Sequence, residues 1–298
     1  MTADPAQEPI KDSSLKDITS PAIGVFDSGV GGLTVLSELH RLLPNERTVY
    51  LGDTARVPYG TRSKEAVLRY ARNNTRTLLE ESPLKALVIA CNTASAVALE
   101  PLQEHFPVPV FGVIGPGAAA ALDVTKGGRV TVLGTKGTIR SGAYEKALRE
   151  QGFDGKISVL ACPLLVPLVE EGWTTGDIPR RVVRAYLEAL ELDTDTLVLG
   201  CTHYPLLREL IAKEARVILQ KEVAVVDGGA KVAEEIRRVL TDEKREARAE
   251  QGRHRYLLTD DPQQVVELSP SFLGKQLTSD DVELVNVVMQ NEPAPNKN

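Results

Sequence analysis

The sequence predicts an α/β fold of two similar α/β domains with mainly parallel sheets, related by a pseudo-twofold axis, with a cleft between them. Short apolar segments alternate with amphipathic helical patterns along the chain, and such alternation indicates parallel strands joined by right-handed crossovers. One unit occurs twice, at 86–95 (ALVIACNTAS) and at 196–205 (TLVLGCTHYP). Each copy is an apolar run, a cysteine and small polar residues, so each cysteine is expected just beyond the end of a buried strand.

Length and composition fit a soluble globular protein. The 298 residues allow one or two domains, and 42% hydrophobic and 26% charged residues are ordinary values. A formal net charge of −6 argues against nucleic acid as a main partner. No apolar run is long enough to span a bilayer, so no membrane partner is expected. The first 21 residues lack an apolar signal segment, which favours a cytoplasmic location with reduced thiols.

The first α/β domain is predicted over 22–118 and 230–285, after a flexible N-terminal extension at 1–21. The chain begins there with a strand at AIGVFD, a glycine turn and a helix that starts near Leu33. The elements that follow are a strand at 48–53, a long helix capped by Thr61 or Ser63 and running to about Glu80, the strand before Cys91, a helix at 94–105 and a strand at 108–114.

The second α/β domain is predicted over 119–229, where the same pattern restarts. Its elements are a strand, glycine turn and helix over 129–148, a strand at 157–163, a helix at 178–191, the strand before Cys201, a helix at 205–214 and a strand at 223–229. A helix at about 230–240 then leads back to the first domain. The charged run after it is expected to be followed by one further strand and a short helix, and 286–298 is predicted to be a flexible tail.

Cys91 and Cys201 are the strongest candidates for catalysis. Each lies at the carboxyl end of a predicted strand, where open α/β sheets bind their ligands. Each also precedes a predicted helix, whose N-terminus lowers a thiol pKa and favours the thiolate. The alternative for each thiol taken alone is a small buried hydrophobe, a common fate of free cysteine, but the repeat weakens that alternative for the pair. Cys162 lacks this setting, and we interpret it as structural.

Other polar residues gather at the same predicted edge. Asp27 and Ser28 open the first glycine turn, with a helix N-cap as the alternative role, and the glycines that follow do not have the spacing of a nucleotide-binding loop. His203 lies two positions after Cys201, where an imidazole assists proton transfer, whereas Glu170 taken alone could be a solvated helix residue. The remaining candidates are neutral loop donors suited to a carboxylate-bearing ligand: Tyr59, Gly60, Asn92, Thr93, Thr135, Thr138 and Thr202.

Six stretches in order carry a resemblance to a known family: DSGVGGLTVL, GDTARVPYG, ACNTAS, GTKGTIRSGAY, CPLLVPLVEEGW and LGCTHYPLL. Over about residues 22–285 they resemble the glutamate racemases of the aspartate/glutamate racemase superfamily. The histidine after the second cysteine is similar to the glutamate branch, since relatives acting on aspartate tend to carry a glutamate there. Gly115 departs from the pattern, because the family has a glutamate at that position.

The resemblance implies a cofactor-independent isomerase that interconverts L- and D-glutamate and supplies D-glutamate for peptidoglycan synthesis, hence for cell-wall biogenesis and cell shape. It implies that Cys91 faces the D-enantiomer and Cys201 the L-enantiomer, with Asp27 near the first thiol and Glu170 and His203 near the second. The substrate-binding positions that it implies are Asp27, Ser28, Tyr59, Gly60, Asn92, Thr93, Thr135, Thr138, Thr202 and His203. No cofactor and no metal are expected, and we expect a homodimer.

Two bases on opposite faces of the substrate suit this reaction. Racemisation removes a proton from one face of Cα and returns one on the other, and a single base would have to move around the carbon. No pyridoxal-lysine motif is present, so N–H groups at helix N-termini and loops must stabilise the carbanion. Proton transfer by a positioned group contributes about 10²–10⁴-fold, and orientation and cleft closure must supply the rest.

Three alternatives stay open. The first is a racemase of the same superfamily that acts on aspartate or another amino acid. The second is a zinc protein with Cys91, Cys162, Cys201 and His203 as ligands, although no short cysteine spacing supports it. The third is a non-catalytic binding protein with a periplasmic-type cleft, against which the missing signal segment counts.

Overall fold

Two parallel sheets organise the computed structural model, which describes residues 20–247 and 252–287. The first sheet has the strand order β10-β9-β2-β1-β3-β4 and the second the order β6-β5-β7-β8, and every recorded strand pair is parallel. The strands are β1 Ala22–Asp27, β2 Thr48–Gly52, β3 Leu84–Ile89, β4 Val110–Gly112, β5 Arg129–Gly134, β6 Lys156–Ala161, β7 Thr194–Gly200, β8 Ala224–Val226, β9 His254–Leu258 and β10 Val282–Leu284. The predicted α/β class with parallel sheets is confirmed.

Helices cover the faces of both sheets. They are α1 Leu33–Leu42, α2 Lys64–Glu81, α3 Asn92–His105, α4 Ile114–Leu122, α5 Lys136–Ser141, α6 Ala143–Glu150, α7 Leu165–Glu170, α8 Asp177–Leu187, α9 Arg208–Leu219, α10 Gly229–Asp242 and α11 Pro262–Leu273. Ser63, rather than Thr61, caps α2, because its hydroxyl accepts a hydrogen bond from the backbone N–H of Ala66. Within the described ranges no helix combines the length and apolar character that a membrane span requires.

The central strands are buried on both faces, which explains their continuous apolar sequences. In β1, Val25 packs into the core beneath α1 and α10, whereas Phe26 packs into the core beneath α2 and α3. In β3, Val88 and Ile89 divide in the same way, because successive side chains of a strand point to opposite faces. Each such buried side chain contributes about 1.5–3 kcal/mol relative to an exposed one.

Three predicted elements differ from the structure. The predicted helix at 205–214 is a 3-10 turn at Tyr204–Leu207 followed by α9, and the Tyr204 hydroxyl in that turn donates a hydrogen bond to the carbonyl of Cys162. Helix α8 ends at Leu187, earlier than predicted. The C-terminal segment was predicted to add one strand and a short helix. It adds two strands, β9 and β10, which extend the first sheet beyond β2, together with helix α11.

Other predictions fall partly outside the described residues. Of the predicted N-terminal extension, only residues 20 and 21 are described, and of the predicted tail only 286 and 287. Residues 248–251 of the charged run lie outside the described ranges. The exact domain boundaries stay a prediction.

The molecule has two halves, the first built on the β10-β9-β2-β1-β3-β4 sheet and the second on the β6-β5-β7-β8 sheet. They meet closely at the carboxyl ends of their central strands. The hydroxyl of Thr34, in the first turn of α1, donates to the carbonyl of Thr202 at 3.0 Å. A Cβ atom on Gly31 would lie 2.2 Å from the Thr202 hydroxyl oxygen and 2.5 Å from Nδ1 of His203. Only glycine therefore fits at position 31 without displacing the turn that carries Cys201.

A histidine pair lies in the first half, outside the contact between the halves. The rings of His40 and His254 stack with centroids 3.7 Å apart, and the hydroxyl of Thr48 lies within hydrogen-bond distance of both. Burial, the His254 ring and Lys275 lower the pKa of His40 to about 3. Burial and Lys275 lower the pKa of His254 to about 4. Both imidazoles are therefore neutral in the folded protein at neutral pH.

Candidate active site

A cavity of about 310 Å³ lies between the carboxyl ends of the two sheets. Its size and its mixture of apolar and polar walls suit a small polar molecule. Of the residues predicted for the site, the cavity is lined by Ser28, Tyr59, Gly60, Cys91, Asn92, Thr93, Thr135, Glu170, Cys201, Thr202 and His203. Asp27 and Thr138, also predicted, are buried beside the cavity and do not line it.

The surroundings of the first thiol favour its protonated form. Cys91 follows β3 and is the N-cap residue of α3, and its Sγ lies 3.7 Å from the hydroxyl oxygen of Ser28. Burial and the nearby carboxyl of Asp27 raise the pKa of Cys91 to about 12, although the N–H of Ala94 and the Ser28 hydroxyl act in the opposite direction. The N-terminus of α3 does lower this thiol pKa as expected, through the N–H of Ala94, but desolvation and the Asp27 carboxyl outweigh it and the net shift is upward.

Asp27 acts on Cys91 through space and not by a hydrogen bond. Its side chain is fully buried at the end of β1, and its Oδ2 accepts a hydrogen bond from the N–H of Gly29 at 3.0 Å. Its Oδ1 has no hydrogen-bond partner in the part of the chain that the structure describes. Burial raises the pKa of Asp27, against the lowering influence of His203 and of backbone N–H groups. The side-chain hydrogen bond recorded for the first thiol is therefore with Ser28 and not with Asp27.

The second thiol lies beside a chain of proton carriers. Sγ of Cys201 is 3.9 Å from Nδ1 of His203, and Nε2 of the same ring is 3.0 Å from Oε1 of Glu170. Burial by itself lowers the pKa of His203, but its interactions with Cys201 and Glu170 raise it to about 10. His203 is therefore an imidazolium at neutral pH, and a cation in this position stabilises negative charge on the adjacent sulfur. A 3-10 turn, and not an α-helix, follows this cysteine.

Three threonines join the two halves at one end of the cavity. The hydroxyl oxygen of Thr93 lies 2.9 Å from that of Thr135 and 3.1 Å from that of Thr138, and Thr135 and Thr138 are 3.1 Å apart. Thr135 also caps α5. A Cβ atom on Gly60 would lie 2.8 Å from Cβ of Thr135. These hydroxyl contacts tie the N-terminus of α3 to that of α5 at this end of the cavity.

Asp53 positions the loop that carries Tyr59 and Gly60, a role that the sequence analysis missed. Asp53 is fully buried after β2, accepts a hydrogen bond from the Tyr59 hydroxyl and pairs with Nε of Arg56 at 2.7 Å. Asn74 reaches the Tyr59 hydroxyl at 3.1 Å. Tyr59 lines the cavity, and its hydroxyl is engaged by Asp53 and Asn74, so its role in substrate binding stays a prediction. The sequence did contain a clue to this role, because Asp53, like Asp27, lies at the carboxyl end of a predicted strand.

The structure offers no ligand cluster for the zinc alternative. Over the described ranges, no three histidine, cysteine or acidic side chains are grouped so as to hold a metal ion. Cys162 is buried, with its Sγ 3.6 Å from the carbonyl of Leu160, and it does not line the cavity.

Comparison with known proteins identifies close relatives. The family model described as Asp/Glu/Hydantoin racemase matches residues 23–236. A glutamate racemase of Geobacter metallireducens is 49% identical over 258 residues, which are 86% of this chain and 94% of that protein. The crystal structure of a glutamate racemase from Bacillus anthracis superposes with a TM-score of 0.82 at 40% identity, covering 90% of this chain and 98% of that one. A glutamate racemase from Francisella tularensis, solved in complex with D-glutamate, gives a TM-score of 0.82 at 33% identity over 90% and 98% of the two chains.

Proposed function

The chain belongs to the Asp/Glu/Hydantoin racemase family and is an amino-acid racemase, and we propose that it interconverts L- and D-glutamate with Cys91 and Cys201 as two separate bases. The observation that carries the proposal is that two thiols, delivered by equivalent strand ends of two sheets, line one small cavity. The bound D-glutamate in the Francisella tularensis relative supports glutamate as the substrate.

The different surroundings of the two thiols define the starting state. Cys91, with its pKa raised to about 12, begins as a thiol, and Cys201, whose sulfur lies beside the His203 imidazolium, acts as the base toward L-glutamate. Cys201 removes the Cα proton of L-glutamate, and Cys91 delivers its own proton to the opposite face to give D-glutamate. The reverse reaction needs a thiol at Cys201 and a thiolate at Cys91. Forward turnover itself leaves these two forms, because Cys201 keeps the proton taken from Cα and Cys91 has given its own proton to the product.

The carbanion formed between these steps carries its charge on the α-carboxylate, so donors must face that group. Asn92 and Thr93 lie at the N-terminus of α3 and line the cavity, as does Thr202 beside the second thiol. A helix N-terminus and fixed polar groups in a water-poor site stabilise developing negative charge without reorganising.

Glutamate, and not aspartate, is the proposed substrate. The support is His203, which matches the glutamate branch, and the relatives at 40% identity or more that are named glutamate racemases. From the family we also propose that the D-isomer feeds peptidoglycan synthesis in the cytoplasm and that the chain acts as a homodimer. A D-glutamate requirement after gene disruption, and a dimer mass by light scattering, are the expected results. Growth without D-glutamate or a monomer mass would contradict them.

The central test uses purified protein dialysed against a chelator and hydroxylamine, with each glutamate enantiomer in D₂O. We expect racemisation with deuterium entering Cα and no need for an added cofactor. β-Chloroglutamate then separates the two bases, because it loses HCl after one proton abstraction. Cys91→Ser should still eliminate from the L-isomer and Cys201→Ser from the D-isomer. If either variant processed both isomers equally, one thiol would be serving both faces and the two-base proposal would be abandoned.

A further inference from the structure

Tyr144 connects the two cysteine-bearing strand ends, although it lies in neither of them. It is in the first turn of α6, two residues after Gly142, whose φ of +67° allows the sharp turn between α5 and α6. The side chain is 2% exposed and belongs to the apolar core of the second half. Tyr144 is not among the site residues predicted from the sequence.

The ring of Tyr144 occupies a slot that two glycines leave open. A Cβ atom on Gly200, the residue directly before Cys201, would lie 2.9 Å from Cε2 of the ring. A Cβ atom on Gly117 would lie 2.9 Å from the hydroxyl oxygen. These contacts aim the hydroxyl at the first half, where it donates to Oδ1 of Asn92, directly after Cys91, at 2.7 Å.

This hydrogen bond determines which end of the Asn92 amide faces the cavity. Burial and the nearby charges of Asp227 and Cys201 raise the pKa of Tyr144, so the hydroxyl keeps its proton and must donate it. The amide offers one accepting oxygen and one donating NH₂ group. It is the one hydrogen bond of the Asn92 side chain within the described residues. Because the oxygen is occupied, the NH₂ group is left for the cavity.

We propose that Tyr144 is a positioning residue for the racemisation, acting through Asn92: by holding the amide oxygen, it keeps the amide NH₂ directed at the substrate α-carboxylate. The proposal rests on the proposed function, which places that carboxylate in the cavity. In the flipped amide, an oxygen lone pair would face the anion, and the charge developing on the carboxylate during proton abstraction would meet repulsion in place of a donor.

Tyr144→Phe tests the proposal, because it keeps the ring in its slot and removes only the hydroxyl. We expect kcat/KM to fall about tenfold, the usual effect of one lost hydrogen bond, and by the same factor for both enantiomers, because the equilibrium constant of one between L- and D-glutamate requires equal kcat/KM values. Tyr204→Phe is the matched control: it removes another buried hydroxyl, which donates to the carbonyl of Cys162 at 2.8 Å. This control should lose stability but retain activity close to wild type.

A double-mutant cycle separates positioning from general weakening. In an Asn92→Ala background, Tyr144→Phe should cause no further loss of kcat/KM. Full additivity of the two losses, unchanged activity in Tyr144→Phe, or an equal loss in Tyr204→Phe would overturn the proposal.

An NMR measurement tests the orientation of the Asn92 amide without any turnover of substrate. The side-chain ¹⁵N–¹H₂ signals of Asn92, assigned by their absence in Asn92→Ala, should shift in Tyr144→Phe and not in Tyr204→Phe. Unchanged signals in Tyr144→Phe would refute the role of Tyr144, whether or not the protein racemises glutamate. Failure of the wild-type protein to turn over either enantiomer would instead refute the proposed function.

Discussion

Replacing Glu170 with glutamine tests how the second thiol is activated. In the structure, the Glu170 carboxylate accepts a hydrogen bond from Nε2 of His203 at 3.0 Å and helps to keep that ring protonated. Glutamine preserves the shape but removes the charge. A hydrogen bond between charged groups contributes about 1.5–3 kcal/mol. Because the Glu170 side chain is 30% exposed, we expect the lower part of that range, which corresponds to a roughly 10- to 30-fold smaller rate of proton abstraction by Cys201.

The assay is elimination of HCl from the two isomers of β-chloroglutamate, since each isomer reports on one thiol. Glu170→Gln should slow elimination from the L-isomer by this factor and leave the D-isomer nearly unchanged, because the surroundings of Cys91 do not include Glu170. Glu171→Gln, at the exposed neighbouring position, is the control and should affect neither isomer. Equal slowing of both isomers, or no slowing of either, would show that Glu170 does not act through Cys201.

Three further predictions follow from the same geometry. Gly31→Ala should lower kcat/KM by about 100-fold in both directions, because its Cβ would displace the Thr202–His203 turn. The control Gly115→Ala should leave kcat/KM near the wild-type value, since its nearest contact would be at 3.9 Å. An equal loss of kcat/KM in the two variants would refute the argument from close contact. The lowered pKa values of His40 and His254, about 3 and about 4, mean that unfolding takes up protons below pH 6.5. Their neutral pairing therefore stabilises the fold fully above that pH and progressively less toward pH 4. The urea concentration at the unfolding midpoint should fall as the pH is lowered from 7.5 to 5, and it should fall by less in a His40→Asn/His254→Asn variant. The exposed His105→Asn control should behave as the wild type. A double variant with the same pH dependence as the wild type would contradict this prediction. Finally, aspartate, one methylene shorter, should be turned over about 10- to 200-fold less efficiently than glutamate, and equal kcat/KM values would show that the branch assignment is wrong.

Local sequence patterns determined the framework of the protein and the location of its thiols. Continuous apolar runs marked β3 and β7, and they end at Ile89 and Gly200, just before the two cysteines. The start of α2 was likewise predicted to within two candidate caps, Thr61 and Ser63, because N-capping involves residues only three positions apart, and the structure identifies Ser63. These features depend on interactions within one element, so the printed order of residues is enough to predict them. The residues lining the cavity came from that framework together with the resemblance to glutamate racemases.

Only the tertiary structure decided how each of those residues is used. A thiol at a helix N-terminus is expected to ionise easily, yet burial against Asp27 keeps Cys91 protonated. Tyr59 was predicted only as a loop donor, and the fold engages its hydroxyl with Asp53. The bond from Tyr144 to Asn92 joins residues 52 positions apart, in different halves of the molecule. Desolvation and hydrogen bonding depend on which distant elements pack around a side chain, and no local pattern records that packing.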